Sequence, residues 1–193
     1  MTKDLISFEQ KQYYDYAFGS KKEYFWRQIC GDPICLIMKW QKYSRLVDYY
    51  VKACTRKRTF FNLVKSKFYL FLRNHYANKC GFEISTANIG EGFMIYHIGS
   101  TVINPGAVLG KHVHLHGNNC IGNGGEGNWA CPIIGNHVKI GVGAKVIGGI
   151  SIADDCYIGA SSLVNYSFNS GGVVIAGVPA KAIKKRTVQN GNE

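Results

Sequence analysis

Ile134, Ile140, Val146, Ile152, Ile158 and Val164 stand six residues apart without a gap. Ile103, Leu109, Leu115 and Ile121 form an earlier series at the same step, and Ile89 with Ile95 a still earlier pair. Six is no multiple of 3.6, so no single face of an α-helix can hold these side chains. Short strands separated by regular corners can, each strand turning one branched side chain into a narrow prism. Glycine follows many of the aliphatics directly, as in Ile121-Gly122, Ile134-Gly135 and Ile140-Gly141. That suits corners where the backbone turns tightly or nearly touches the next coil. The pattern predicts a parallel β-helix with three hexads to a coil of about 18 residues, hence roughly four coils over 89–164.

Two steps break the period. Ile95 to Ile103 is eight residues, and the excess contains Tyr96-His97-Ile98-Gly99. Ile121 to Ile134 is thirteen, with the glycine-rich stretch 122–132 between them. Loops leaving a rigid solenoid are favoured places for binding residues. The longer one is too rich in glycine to be core and can lie across a groove or against a neighbouring subunit.

The first eighty residues follow another rule. Phe60, Phe61, Leu63, Val64, Phe68, Leu70 and Phe71 recur at three- and four-residue steps with Lys65, Lys67 and Arg73 between them, and residues 35–53 read similarly. Asp32-Pro33 is a turn with proline at a first helical position. Two or three amphipathic helices are predicted.

Composition sharpens this division. Residues 1–80 hold 16 Lys+Arg against 6 Asp+Glu and only 2 glycines; residues 81–193 hold 7 against 6 and 21 glycines. Aromatics follow the charge, with 18 of 25 before residue 81. The expected organisation is a basic, aromatic-rich helical domain over 1–80, a β-helix over 81–180 and a basic tail over 181–193. The basic segment could bind nucleic acid, stack as core or subunit contact, meet an anionic membrane surface, or hold an acidic glycan. No nucleic-acid motif occurs, so no nucleic-acid partner is expected. No apolar run approaches a membrane span and the N-terminus has no signal-peptide pattern, so a cytoplasmic protein is expected, with the inner face of the membrane left open. The 7 cysteines include no CxxC pair, which fits reduced thiols and no metal site.

In residues 81–185 the stretches Gly-Phe-Glu-Ile at 81–84, Ile-Gly-Glu-Gly-Phe-Met-Ile-Tyr-His at 89–97, Pro-Ile-Ile-Gly at 132–135, Ile-Gly-Val-Gly-Ala at 140–144 and Ala-Gly-Val-Pro-Ala-Lys at 176–181 resemble the hexapeptide acyltransferases. The likeness is to their serine acetyltransferase-like branch, and within it to members of surface-polysaccharide synthesis. The resemblance implies a left-handed β-helix, an exception to right-handed crossovers. It also implies a homotrimer or dimer of trimers, with acetyl-CoA as co-substrate in grooves between neighbouring helices.

His97 matches the family's catalytic base, and an imidazole with an ordinary pKa near 6.5 suits that work. Glu83, fourteen residues earlier, stands near the place of the family's orienting carboxylate; its other reading is a solvated charge. Tyr96, His116 and Cys131 are expected around the acceptor. By resemblance Asn123 and Val142 lie near the acetyl group and pantetheine, Ala160, Ser161, Gly177, Pro179 and Ala180 continue along the cofactor, and Lys181 and Lys184 meet the CoA phosphates. His112, His114 and His116 alternate as on a strand, which accounts for them without a metal. Serine acetyltransferases carry a His where this chain has Cys131 before Pro132, and a neutral thiol poorly replaces a cation for holding a carboxylate. The expected activity is direct acetyl transfer to a hydroxyl, of a sugar in surface polysaccharide. The alternatives are serine O-acetylation and a catalytically silent trimeric scaffold.

Overall fold

The computed structural model describes residues 2–186. Four helices come first: α1 (Thr2–Ala17), α2 (Lys21–Ile29), α3 (Pro33–Arg56) and α4 (Phe60–Cys80). This exceeds the two or three expected, because residues 1–30 form two helices rather than none or one. Their boundary is chemical. The Ser20 side chain accepts from the Glu23 N–H to start α2, Asp32 and Thr59 cap α3 and α4 in the same way, and Gly81 ends α4 in the left-handed conformation at φ 74°.

Fourteen short strands follow among the described residues, laid on three sheets. One holds β1 (Phe82–Ile84), β3 (Thr101–Ile103), β6 (Cys120–Gly122), β9 (Lys145–Ile147) and β12 (Leu163–Val164). A second holds β4 (Val108–Leu109), β7 (Ile133–Ile134) and β10 (Ser151–Ile152). The third holds β2 (Met94–Ile95), β5 (His114–Leu115), β8 (Lys139–Ile140), β11 (Tyr157–Ile158), β13 (Val173–Gly177) and β14 (Ala180–Lys185). Successive strands pass from sheet to sheet and pair in parallel with the strand one coil on, as Ile95 with Leu115 and Ile103 with Ile121. The chain therefore winds as a three-sided parallel coil.

Every aliphatic of the six-residue series is buried, from Ile89 at 6% exposure to Val164 at 0%. The stack is five layers deep rather than four. Ile84 and Phe82 begin it, and Phe168 and Ile175 end it. These outer layers are reached by steps of five, four and seven residues, which the hexad spacing hides. Past Gly177 the chain doubles back, so β14 pairs antiparallel with β13. Residues 181–185, expected as the start of a tail, are thus a strand; residues 187–193 of that expected tail lie outside the described residues.

The helices close the first layer. Tyr13 of α1 accepts from the Ile95 N–H at 2.7 Å and donates to its carbonyl at 3.2 Å. Gln41 donates to the Phe93 carbonyl at 2.6 Å. Arg45 donates to the carbonyls of Ile89 and Gly90 at 2.9 and 2.6 Å and to Glu9 at 2.7 Å, with both ionic side chains almost fully buried. Trp40 packs edge-on to Phe82, so one apolar core runs from the helices into the coils. Arg45→Ala would strand the Glu9 carboxylate and several carbonyls in a dry interface. The expected loss is about 3–5 kcal/mol of unfolding free energy, measured by urea denaturation, and a loss below about 1 kcal/mol would show the clamp to be dispensable.

Candidate active site

Each coil passes from the third sheet to the first by a tight corner, and these corners stack into one edge of the prism. The first period-breaking insertion, Tyr96 to Gly99, lies there. The Tyr96 N–H donates to Leu115 O and the His116 N–H to Ile140 O, which sets Tyr96 directly over His116. Their rings lie 4.9 Å apart. Below His97 the chain has Gly117 at φ 101°, where a Cβ would stand 3.0 Å from the His97 carbonyl. Only a residue without a side chain lets the His97 corner sit so close.

The edge continues through positions the sequence singles out. Val142, Ala160, Ser161, Gly177 and Pro179 are all exposed on it. They are tied coil to coil, the Gly143 N–H donating to Gly117 O and the Ser161 N–H to Val142 O. Gly141 leaves no room for a side chain there, since a Cβ would meet the Ala160 nitrogen at 2.5 Å. The result is a smooth ladder of small residues with His97 exposed at its upper end. Lys181 and Lys184 are exposed on β14 at the far end of the coil. Ala180 departs from the expectation: its side chain is fully buried and its carbonyl accepts from the Tyr166 hydroxyl, so it faces the core instead of a ligand.

Glu83, Asn123 and Cys131 are elsewhere. β1 turns Phe82 and Ile84 inward and Glu83 outward, opposite Val102 on the first sheet. Glu83 and Asn123 line a groove of about 530 Å³ with Arg73, Asn104 and Ile147, whereas His97 opens into a different cleft. Among the described residues no hydrogen bond or ion pair joins Glu83 to His97, so strand alternation, which fixes where Glu83 points, does not give it the orienting position within one chain. Cys131 ends the long loop, its thiol directed at the Trp129 carbonyl at 3.7 Å, and Trp129 is 73% exposed.

The His97 cleft, about 540 Å³, has a wall the sequence did not disclose: Tyr16, Ala17, Arg27, Asp32 and Ile34 of the helical part face Tyr96, His97 and Ile98. The Tyr16 ring lies 4.9 Å from Tyr96. Arg27 is already engaged by Asp32 at 2.9 Å, by Glu23 at 3.2 Å and by the Ala17 carbonyl, so it presents no uncompensated cation. Sixty or more residues separate these groups from His97, and only the docking of α1 on β2 brings them near. Nothing in their local pattern marks them.

The three alternating histidines have separate settings. His114 is buried and shares a 2.9 Å hydrogen bond with the Tyr96 hydroxyl. His112 sits in a corner at φ 54° and stacks on His137 at 4.9 Å, so the alternation expected on a strand covers only Val113 to His116. Burial, with the neighbouring charges of His97 and Lys139, holds the His116 pKa below its ordinary value of 6.5.

No protein-family model matches the chain. A serine acetyltransferase of Buchnera aphidicola is 36% identical over 109 residues, 55% of this chain and 41% of its own length. The putative colanic acid biosynthesis acetyltransferase WcaB of Escherichia coli K12 is 29% identical over 144 residues, 74% of this chain and 86% of its own. The crystal structure of Neisseria gonorrhoeae serine acetyltransferase superposes with a TM-score of 0.70 at 26% identity, over 97% of this chain and 68% of that one. A Brucella abortus serine acetyltransferase in complex with coenzyme A has the same fold at a TM-score of 0.72 and 22% identity, over 96% of this chain and 68% of its own. The chain thus spans under half the length of one of these curated relatives and most of the other. In sequence and in fold the chain is similar to acetyltransferases of this kind, in line with the resemblance read from its hexads.

The folded protein holds His116 less basic than the unfolded chain does, so on acidification the unfolded chain takes up that proton first. The corresponding stability is complete above about pH 6.5 and is lost as pH falls below it, until the folded group also protonates. His116→Asn is expected to flatten the fall in urea-unfolding free energy between about pH 7.5 and 5.5; an unaltered slope would assign the acid sensitivity to other groups.

Proposed function

We propose that this protein is an acetyl-CoA-dependent O-acetyltransferase that moves acetyl directly onto a hydroxyl, that of a sugar in surface polysaccharide, in the cytoplasm. The observation that carries this reading is the stacked edge: an exposed imidazole at one end of a ladder of small residues, with lysines at the other. His97 takes the proton of the acceptor hydroxyl as its oxygen attacks the thioester carbonyl carbon. Backbone N–H groups of the edge steady the oxyanion. The C–S bond then breaks, and the CoA thiolate recovers the proton from His97. A neutral His116 suits this arrangement, since a second imidazolium beside His97 would oppose its protonation.

The coils are read as a left-handed β-helix assembled as a homotrimer. Residues 81–180 form the transferring unit in this reading, and residues 1–80 wall the acceptor side and make outward contacts. Glu83, Asn123 and Cys131 lie off the His97 edge in one chain, and a neighbouring copy is the means by which they would face it. The pantetheine would run along Val142, Ala160, Ser161, Gly177 and Pro179 with Lys181 and Lys184 at the phosphates. The aromatic pair Tyr16 and Tyr96 in a cleft whose one guanidinium is neutralised fits a polyhydroxyl acceptor better than an amino acid carboxylate. Serine remains the second reading, favoured by the names of several relatives.

Thiol release from acetyl-CoA measures both points. Turnover is expected with oligosaccharide or activated-sugar acceptors and not with serine, and the reverse would establish the second reading. His97→Ala is expected to lower kcat by about 10²–10⁴ while CoA binding and assembly persist. Undiminished turnover in that variant would sink the mechanism.

A further inference from the structure

Helix α4 turns its tyrosines inward and its phenylalanines outward. Tyr69 stacks on Tyr43 and Tyr50 of α3, and Tyr76 on Tyr43, with ring centroids 5.4 to 6.3 Å apart. On the other side Phe60, Val64, Phe68 and Phe71 follow at steps of four, four and three, which aligns them on one stripe. They are 75%, 48%, 55% and 68% exposed, and Phe61 beside them 74%. Lys67 flanks the stripe by helical geometry, Lys65 reaches over the Tyr50 ring, and Lys57 and Arg58 precede the helix. Between Asp48 and Glu83 the chain has eight Lys or Arg and no Asp or Glu.

We propose that this face of α4 docks on an anionic lipid bilayer surface. Phe60, Phe68 and Phe71 would enter the interface, and Lys57, Arg58 and Lys67 would meet the headgroup phosphates. An apolar stripe rimmed by cations is what a helix lying in the interface plane requires, the cations keeping their heads in water while their stems follow the rings downward. Among the described residues no helix is long and apolar enough to cross a membrane, so the contact is one of lying on the surface. Charge selects this occupant over a second copy: self-association through this face would bring Lys57, Arg58 and Lys67 against their own counterparts, with no carboxylate from that stretch to offset them. This contact stands apart from acetyl transfer and survives the failure of that reading.

The test is flotation of the full chain with vesicles of phosphatidylcholine alone and of phosphatidylcholine with about 30% phosphatidylglycerol, at low and at high salt. The expected result is a partition at least tenfold higher on the anionic vesicles, falling as salt rises. Phe68→Ser with Phe71→Ser should cost about tenfold on those vesicles. Arg58→Gln with Lys67→Gln, a change confined to exposed side chains, should remove most of the preference for anionic lipid. Both variants should keep the wild-type helical signal and elution volume. Equal partition on the two vesicles, or none on either, overturns the proposal. So does a smaller assembly in the phenylalanine variant, which would make the stripe a contact between copies, or tighter binding of a single-stranded oligonucleotide than of the vesicles.

Discussion

A coil of stacked strands satisfies its backbone by handing hydrogen bonds to the next coil, so its first layer has groups with no coil to receive them. Buried unpaired N–H and C=O groups are costly, and the whole solenoid depends on closing that end. Here side chains of helices do it: Tyr13 takes both polar groups of Ile95, Gln41 the carbonyl of Phe93, and Arg45 those of Ile89 and Gly90. The last turn of α4 continues the task, with the Gly99 N–H on Cys80 O and the Thr101 N–H on Gly81 O. The opposite end is closed differently, by β14 folding back along β13. One interface therefore both ends the solenoid and builds the wall opposite His97.

The choice of an ion pair for that clamp has a cost. A charge-neutral apolar pair of similar volume often stabilises a buried interface as well. Arg45 does something an apolar residue cannot: its fixed fork reaches Glu9 on α1 and two carbonyls of the first coil together. Asp48, one turn on, accepts from the Thr86 hydroxyl at 2.6 Å, while burial raises its pKa. Arg45 thus ties α1 to the first coil, and Tyr13 of the same helix on Ile95 brings Tyr16 beside Tyr96.

How much of this was readable beforehand follows from where the information lies. Ile89 through Val164 spell out the prism because one residue in six must fill a space of constant width, and the two interruptions announce the corners that carry His97 and Trp129. The pairing of Tyr96 with His116 follows from the same count. The outer layers were not readable: Ile84, Phe168 and Ile175 fill the prism at irregular steps, Phe168 using a ring where others use a branched chain. α1 was hard to read because its two buried side chains are an acid and a phenol, Glu9 and Tyr13, and α2 because it buries none of its side chains. Glu83 points away from His97 within one chain for a related reason. Distance along the chain resembles the family's spacing, but strand alternation decides the direction of a side chain.

The site's chemistry is also narrowed by what the cysteines do. Cys80 is buried in the capping interface, and burial pushes its thiol up to about 12. Cys35 and Cys156 are buried and shifted upward for the same reason. A thiol held protonated is a small apolar side chain, and these three fill space in the core. Cys131 is turned towards Trp129 O in the long loop, on a different edge from His97. None of these four thiols is exposed on the ladder of small residues, where a covalent acyl carrier would have to be. The group that is exposed there is an imidazole, which can move a proton without taking up the acyl chain. That is what the proposed single transfer with both substrates present would ask of it, with the ladder as an open track for a long, thin donor.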